Sequence, residues 1–185
     1  MDARAGRDIP GLARRALDAF AESASRRRDR DALMDEAFAA LFELYRATSP
    51  AERRSPAGRD FSATLAELLG GGNNPDRLSL YVIRGQTAAE NGHHEGYRPA
   101  CWRRSMLELL GTEFVPWERV LRPGDLEAIE RTDAALTEVA AGAVGGGEVP
   151  DWVPESHWWW WEPARQRGEE VPEFDDSGTL DAVAD

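Results

Sequence analysis

The chain contains no lysine: all 22 of its basic residues are arginine. That absence excludes a phosphate-gripping loop lysine, Schiff-base catalysis and a serine–lysine nucleophile pair. Its simplest cause is a GC-rich coding bias, which points to a bacterial source. Cysteine is almost as scarce. Cys101 stands alone, so no internal disulfide can form, and a reducing compartment is expected. No apolar run approaches the roughly 18 residues that a membrane helix needs. The opening Met1-Asp2-Ala3-Arg4-Ala5-Gly6-Arg7-Asp8 carries no apolar core of a secretory signal. A soluble, cytoplasmic protein is the expectation.

What is present is ordinary for a globular chain: 185 residues, 42% hydrophobic and 30% charged. The net charge of −12 is unevenly spread. Residues 1–60 sum to +1, residues 61–147 to −4 and residues 148–185 to −9. An acidic field repels phosphate backbones, so general nucleic-acid binding is disfavoured.

Helical periodicity dominates the first three quarters of the chain. Asp8 and Pro10 can open a helix whose apolar positions are Leu12, Ala13, Ala16, Leu17, Phe20 and Ala24. Arg26-Arg27-Arg28 suits its C-terminal dipole and reads as a solvated helix end. A second stripe, Leu33, Met34, Ala37, Phe38, Leu41, Phe42 and Tyr45, follows a short joint. The pair predicts an antiparallel hairpin. Residues 49–59 read as a polar loop, with Asp60 capping a brief helix that Gly70-Gly71-Gly72 ends.

Residues 78–83, Leu-Ser-Leu-Tyr-Val-Ile, are ambiguous. They suit a short buried strand. Yet Asn74-Pro75-Asp76 reads as a helix start, and Leu78, Tyr81, Val82, Gly85 and Ala89 share one helical face. Helix is the favoured reading and strand the alternative. Pro99 then opens a helix with Trp102, Met106, Leu109 and Leu110 inward and Gly111 as its stop. A single turn from Pro116 and a last helix from Pro123 or Asp125 complete the set. That last helix buries Leu126, Ile129, Leu136 and Val139, with Glu127, Glu130, Asp133 and Glu138 outward. The expected architecture is one all-α bundle of about five to seven helices over residues 1–147. A Trp- and Pro-rich, extended arm over 148–168 should dock on the domain or on a partner. An acidic tail over 169–185 is expected to be disordered.

The arm holds the most distinctive stretch, Ser156-His157-Trp158-Trp159-Trp160-Trp161. Four consecutive indoles cannot share one face of a helix or strand. Each offers about 150–250 Å² to bury, so the segment must be sheltered, by its own chain first and by another protein second. Trp152, His157, Trp158, Trp159, Trp160 and Trp161 are therefore the candidate binding residues. Acidic neighbours argue against an anionic membrane surface.

Catalytic constellations are sparse. His93, His94 and Glu95, with His157 as a distant fourth ligand, have the right ligand types for zinc but not a recognisable spacing. Cys101 lies in the first turn of a helix beside Arg103 and Arg104, where a thiol pKa can fall. The more ordinary reading is a small buried hydrophobe. Gly70-Gly71-Gly72-Asn73-Asn74-Pro75-Asp76 resembles an anion nest, but it reads better as a connector. The leading functional expectation is a non-catalytic protein-binding or regulatory protein, of the kind that inhibits a basic toxin or nuclease. It needs no cofactor, and self-association through the arm is a further option. The rival is a metal- or Cys-dependent hydrolase centred on residues 93–101, with Cys101 and Glu95 as catalytic candidates.

Overall fold

Five of the helices are held by the fifth element in the chain, which touches nearly all the others. The computed structural model describes residues 8–25, 30–92, 97–139 and 149–160. Within them lie α1 (Ile9–Ser25), α2 (Arg30–Ala47), α3 (Pro50–Arg53), α4 (Pro56–Gly70), α5 (Asn74–Glu90), α6 (Arg98–Leu109) and α7 (Pro123–Val139). No strand occurs among the described residues. The chain is all-α. α1 and α2 form the expected antiparallel hairpin, and α5 packs against α1, α2, α4, α6 and α7.

The hairpin follows its sequence pattern. Asp8 caps α1 by accepting the Gly11 N–H at 2.9 Å, and Ala16 and Phe20 are fully buried. Met34, Ala37, Phe38, Leu41 and Leu44 supply the facing stripe of α2. Phe38 joins the two helices to α5. Its ring lies edge-on to Phe20 at 5.5 Å and stacked on Tyr81 at 4.3 Å.

Residues 78–83 are helical, so the strand alternative falls. Leu78, Tyr81, Val82, Gly85 and Ala89 form the buried face of α5. Ile83 is turned outward, 49% exposed, which is why the run looked continuously apolar. Asn74 plays a part other than the expected cap. It is fully buried, donating to the Leu68 carbonyl at 2.8 Å and accepting from the Ser23 hydroxyl at 3.4 Å. It ties α1, α4 and α5 together.

Four local features differ from expectation. Residues 49–59 are not a plain loop, because each Ser-Pro pair starts a helix. Ser49 and Glu52 complete a reciprocal capping box on α3. Ser55 caps α4 by accepting the Gly58 N–H at 3.2 Å, so α4 begins at Pro56 rather than at Asp60. Gly111 does not stop α6 either. The chain continues through a widened π turn, Leu110–Phe114. The Trp117 indole lies where a Gly111 Cβ would be and donates its N–H to the Leu107 carbonyl at 2.8 Å. Finally, Asp133 is half-buried rather than fully outward, because it pairs with the buried Arg104 guanidinium.

Gly58 packs directly on the backbone of the preceding turn. A Cβ there would run into the Arg53 carbonyl, and backbone yields less readily than a side-chain tip. Gly58→Ala should therefore lower stability by about 1–3 kcal/mol despite its better helix propensity. Urea unfolding should show a lower midpoint with an unchanged slope; a higher midpoint would contradict this packing.

Candidate functional site

The site begins with one face of α6. Cys101, Arg104, Ser105 and Glu108 recur at the three- and four-residue spacing that aligns side chains on a helix. This face meets α7 and the described part of the arm, residues 149–160, which crosses it through successive tight turns. Pro150 and Pro154 carbonyls accept from Val153 and His157 N–H groups, each at 2.9 Å. A 3₁₀ turn, Trp158–Trp160, ends the segment. Ala89, Ala100, Cys101, Leu136, Val153, Trp159 and Trp160 make a second small core beneath it.

Ser105 is the centre of this arrangement and is fully buried. Its oxygen accepts the Trp159 indole N–H at 3.0 Å and the Trp160 indole N–H at 2.7 Å. A hydroxyl has two lone pairs and one proton. With both lone pairs used, the proton goes to His157 Nδ1, at 3.0 Å. His157 is thereby fixed as the neutral tautomer with hydrogen on Nε2. Its ring also stacks on Trp159, 4.8 Å between centroids.

The electrostatics agree. Burial holds the His157 pKa down at about 4, with the Glu108 charge opposing and the Arg104 charge reinforcing the shift. Arg104 itself is a buried cation. It forks onto Asp133 at 2.7 and 3.1 Å, bonds Glu108 at 2.8 Å and stands 4.3 Å over the Trp159 ring. Burial alone would lower its pKa; the hydrogen bonds and charges of Asp133 and Glu108 outweigh that and raise it. This pairing is what half-covers Asp133.

Cys101 is 1% exposed, and its thiol donates to the Trp159 carbonyl at 3.1 Å. Burial pushes its pKa up to about 12, against the helix backbone and Arg98, which act to lower it. A nucleophilic thiol requires the opposite. The arrangement makes Cys101 a packing and anchoring residue. His93, His94 and Glu95 lie outside the described residues, as do Trp161 and the Arg26–Arg28 patch. No three His, Cys, Asp or Glu side chains converge as a metal set among the described residues. His157, the proposed fourth ligand, is engaged by Ser105.

The indoles divide by role. Trp159 and Trp160 are buried, while Trp152 and Trp158 are half-buried. Trp152 meets Trp102 at 5.4 Å, Phe42 at 4.5 Å and Trp160 at 5.9 Å. Where the arm crosses α6, Trp102, Trp152 and Trp160 wall an open recess of about 440 Å³, with Arg98, Arg103 and Asp35 among its polar lining. A second, apolar recess of about 280 Å³ lies at the opposite end of α2, between Ile9, Leu44, Phe61 and Phe114. Its arginine, Arg53, already bonds Glu113 at 2.8 Å and the Thr48 carbonyl at 2.6 Å. Ser105 was not among the residues singled out from sequence, and Arg104 was read only as a cation beside Cys101. The available signal was a lone hydroxyl inside the apolar stripe Trp102, Met106, Leu109, in a chain whose arm is rich in indole donors. No helix among the described residues is long and apolar enough to cross a membrane. Comparison with known proteins found no matching family model, no matching curated protein and no matching solved structure.

Ser105→Ala leaves two indole N–H groups and one imidazole nitrogen without their partner. Each buried orphan costs about 1–3 kcal/mol, so a loss on the order of 3 kcal/mol or more is expected in urea unfolding, with greater acrylamide access to tryptophan. Unchanged stability and quenching would contradict the node.

Acid should act through the same contact. His157 is neutral when folded to about pH 4, whereas the unfolded side chain takes up its proton near 6.5. Between those values the unfolded state binds the extra proton, so stability falls as pH drops, by roughly 3 kcal/mol in all. Gln can accept the Ser105 proton without titrating, so His157→Gln should flatten the dependence between pH 6.5 and 4. An equal slope in the variant would contradict the assignment.

Proposed function

We propose that this chain is a non-catalytic protein-binding or regulatory protein of the cytoplasm. Its working surface is the open recess walled by Trp102, Trp152 and Trp160. The observation that carries this reading is the recess itself: two half-buried indoles, Trp102 and Trp152, the edge of the buried Trp160 and an exposed arginine, Arg98, gathered at the seam between arm and bundle. Tryptophan and arginine are the side chains that most often anchor protein interfaces. The arm contributes by docking in cis, which orders the rings before a partner arrives and lowers the entropy lost on binding. The partner is a basic protein. A net charge of −12 accelerates encounter with such a surface, while the recess receives an apolar or aromatic side chain. An inhibitor of a basic toxin or nuclease is one concrete form. This role calls for no metal and no cofactor, and it gives Cys101 and His157 structural roles.

A photo-crosslinking amino acid placed at Arg98 should join the chain to one discrete basic protein in extracts of the source cell. The same group at Glu130, on the exposed face of α7, should not. Crosslinks from position 130 alone, or to another copy of this chain alone, would overturn the assignment of the recess.

A further inference from the structure

The apolar recess at the far end of α2 is built from several elements at once. Ile9 and Ala13 of α1, Leu44 of α2, Phe61 of α4 and Phe114 of the π turn wall a space of about 280 Å³, and Arg53 of α3 lines it as well. An apolar cavity of about 150 Å³ is already enough to stay dry and take up benzene, so this one has room for one or two rings. Phe114 comes from the π turn, and so does Glu113, the carboxylate that pairs with Arg53. Widened turns of that kind recur at functional sites.

Most polar groups of the lining are engaged by the fold. Thr48 donates to the Leu44 carbonyl, the Ser55 oxygen accepts the Gly58 N–H, and Glu52 closes its capping box on Ser49. Arg53 gives its Nε to Glu113 and its Nη1 to the Tyr45 and Thr48 carbonyls and the Thr48 hydroxyl. Its Nη2 has no hydrogen-bond partner among the described residues, yet it is not sealed from solvent. The recess is thus left with apolar walls and one donor group. An anionic ligand would meet two carboxylates, Glu113 and Glu52, for one guanidinium. A protein occupant fits poorly too. An interface takes about 800 Å² from each partner around an apolar centre. The one large hydrophobic side chain left exposed among the described residues is Ile83, which does not line this recess.

An apolar pocket with a single polar contact is the usual form of a small-molecule site. We propose that this recess binds one small uncharged ring compound carrying a single acceptor such as a carbonyl. Its rings lie among Leu44, Phe61 and Phe114, and its acceptor takes the Arg53 Nη2–H. The site does not depend on the partner-binding role of the Trp-walled recess.

The test titrates the intact protein with acetylnaphthalene, naphthalene and naphthoate while methyl NMR reports where each one binds. The ketone should give saturable shifts at the Ile9, Ala13 and Leu44 methyls and leave Ile83 unmoved. Naphthalene, which lacks the acceptor, should bind about tenfold more weakly, and the charged naphthoate more weakly than the ketone. Ala13→Phe fills the recess from a half-buried position and should abolish the Leu44 shift; the wild-type titrations decide the matter even if this variant fails to fold. No saturable shift at these methyls, equal affinity for naphthalene, or tighter binding of naphthoate would overturn the proposal. So would shifts of the same methyls on concentrating the protein alone, which assign the recess to a second copy.

Discussion

One hydroxyl group decides where the C-terminal segment lies. The Ser105 oxygen has three bonding positions, and three aromatic nitrogens of the arm occupy them: two indole donors and one imidazole acceptor. Positions and partners match in number, so each partner constrains the others. The indole N–H groups determine where the hydroxyl proton must point, and that proton determines the histidine tautomer. Tryptophan burial supplies the bulk of the driving force, which is non-directional. The hydroxyl supplies register. An arm shifted by one residue would bury similar apolar area but leave its nitrogens without partners, and low dielectric makes that expensive.

Arg104 shows why a lysine-free chain suits this interior. Its guanidinium forks onto Asp133, bonds Glu108 and presents its face to the Trp159 ring at once. An ammonium is a point charge and could not meet a planar carboxylate, a second carboxylate and an aromatic face together. Whatever the coding bias behind it, arginine lets a buried cation be paired on its edge and stacked on its face. The net effect is that α6, α7 and the arm share one polar seam beneath the indoles. The same preference recurs at Arg103, paired with Asp35 and set over Tyr81. The two arginines adjoin in sequence but turn to different partners around α6. Arg103 pairs with Asp35 of α2, and Arg104 with Asp133 of α7.

Long stripes were readable from the residues alone. The α1–α2 hairpin and the buried face of α5 follow the apolar periodicity, with Leu44 buried deeper than the expected Phe42 and Tyr45, because burial of a whole face outweighs any single preference. Features that depend on one contact were not readable. Ser49 and Ser55 are cap residues only because proline follows each, and a run of Ser, Pro, Ala and Arg looks like a loop until both pairs are counted. Gly111 looked like a helix stop, but its missing Cβ serves Trp117 instead. Asp133 looked solvent-facing because charge is normally outside; pairing with a buried Arg104 leaves it half-covered instead. Ser105 carried no pattern at all. Its role is defined by residues more than fifty positions away, and spacing on one helix cannot report such a partner. Cys101 was legible as a small buried side chain, and its thiol bond to the Trp159 carbonyl adds a second tie to the same segment.

That Ser105 holds two arm indoles in the interior is tested most directly by hydrogen exchange at the indole nitrogens. In NMR spectra, the Nε1–H resonances of Trp159 and Trp160, assigned by single Trp→Phe replacements, should exchange slowly, opening only with larger-scale unfolding. Both should become fast together when Ser105 is replaced by alanine. If either indole exchanges at the rate of a free tryptophan in the native protein, the segment is not anchored through this hydroxyl, and the register of the arm must have another cause.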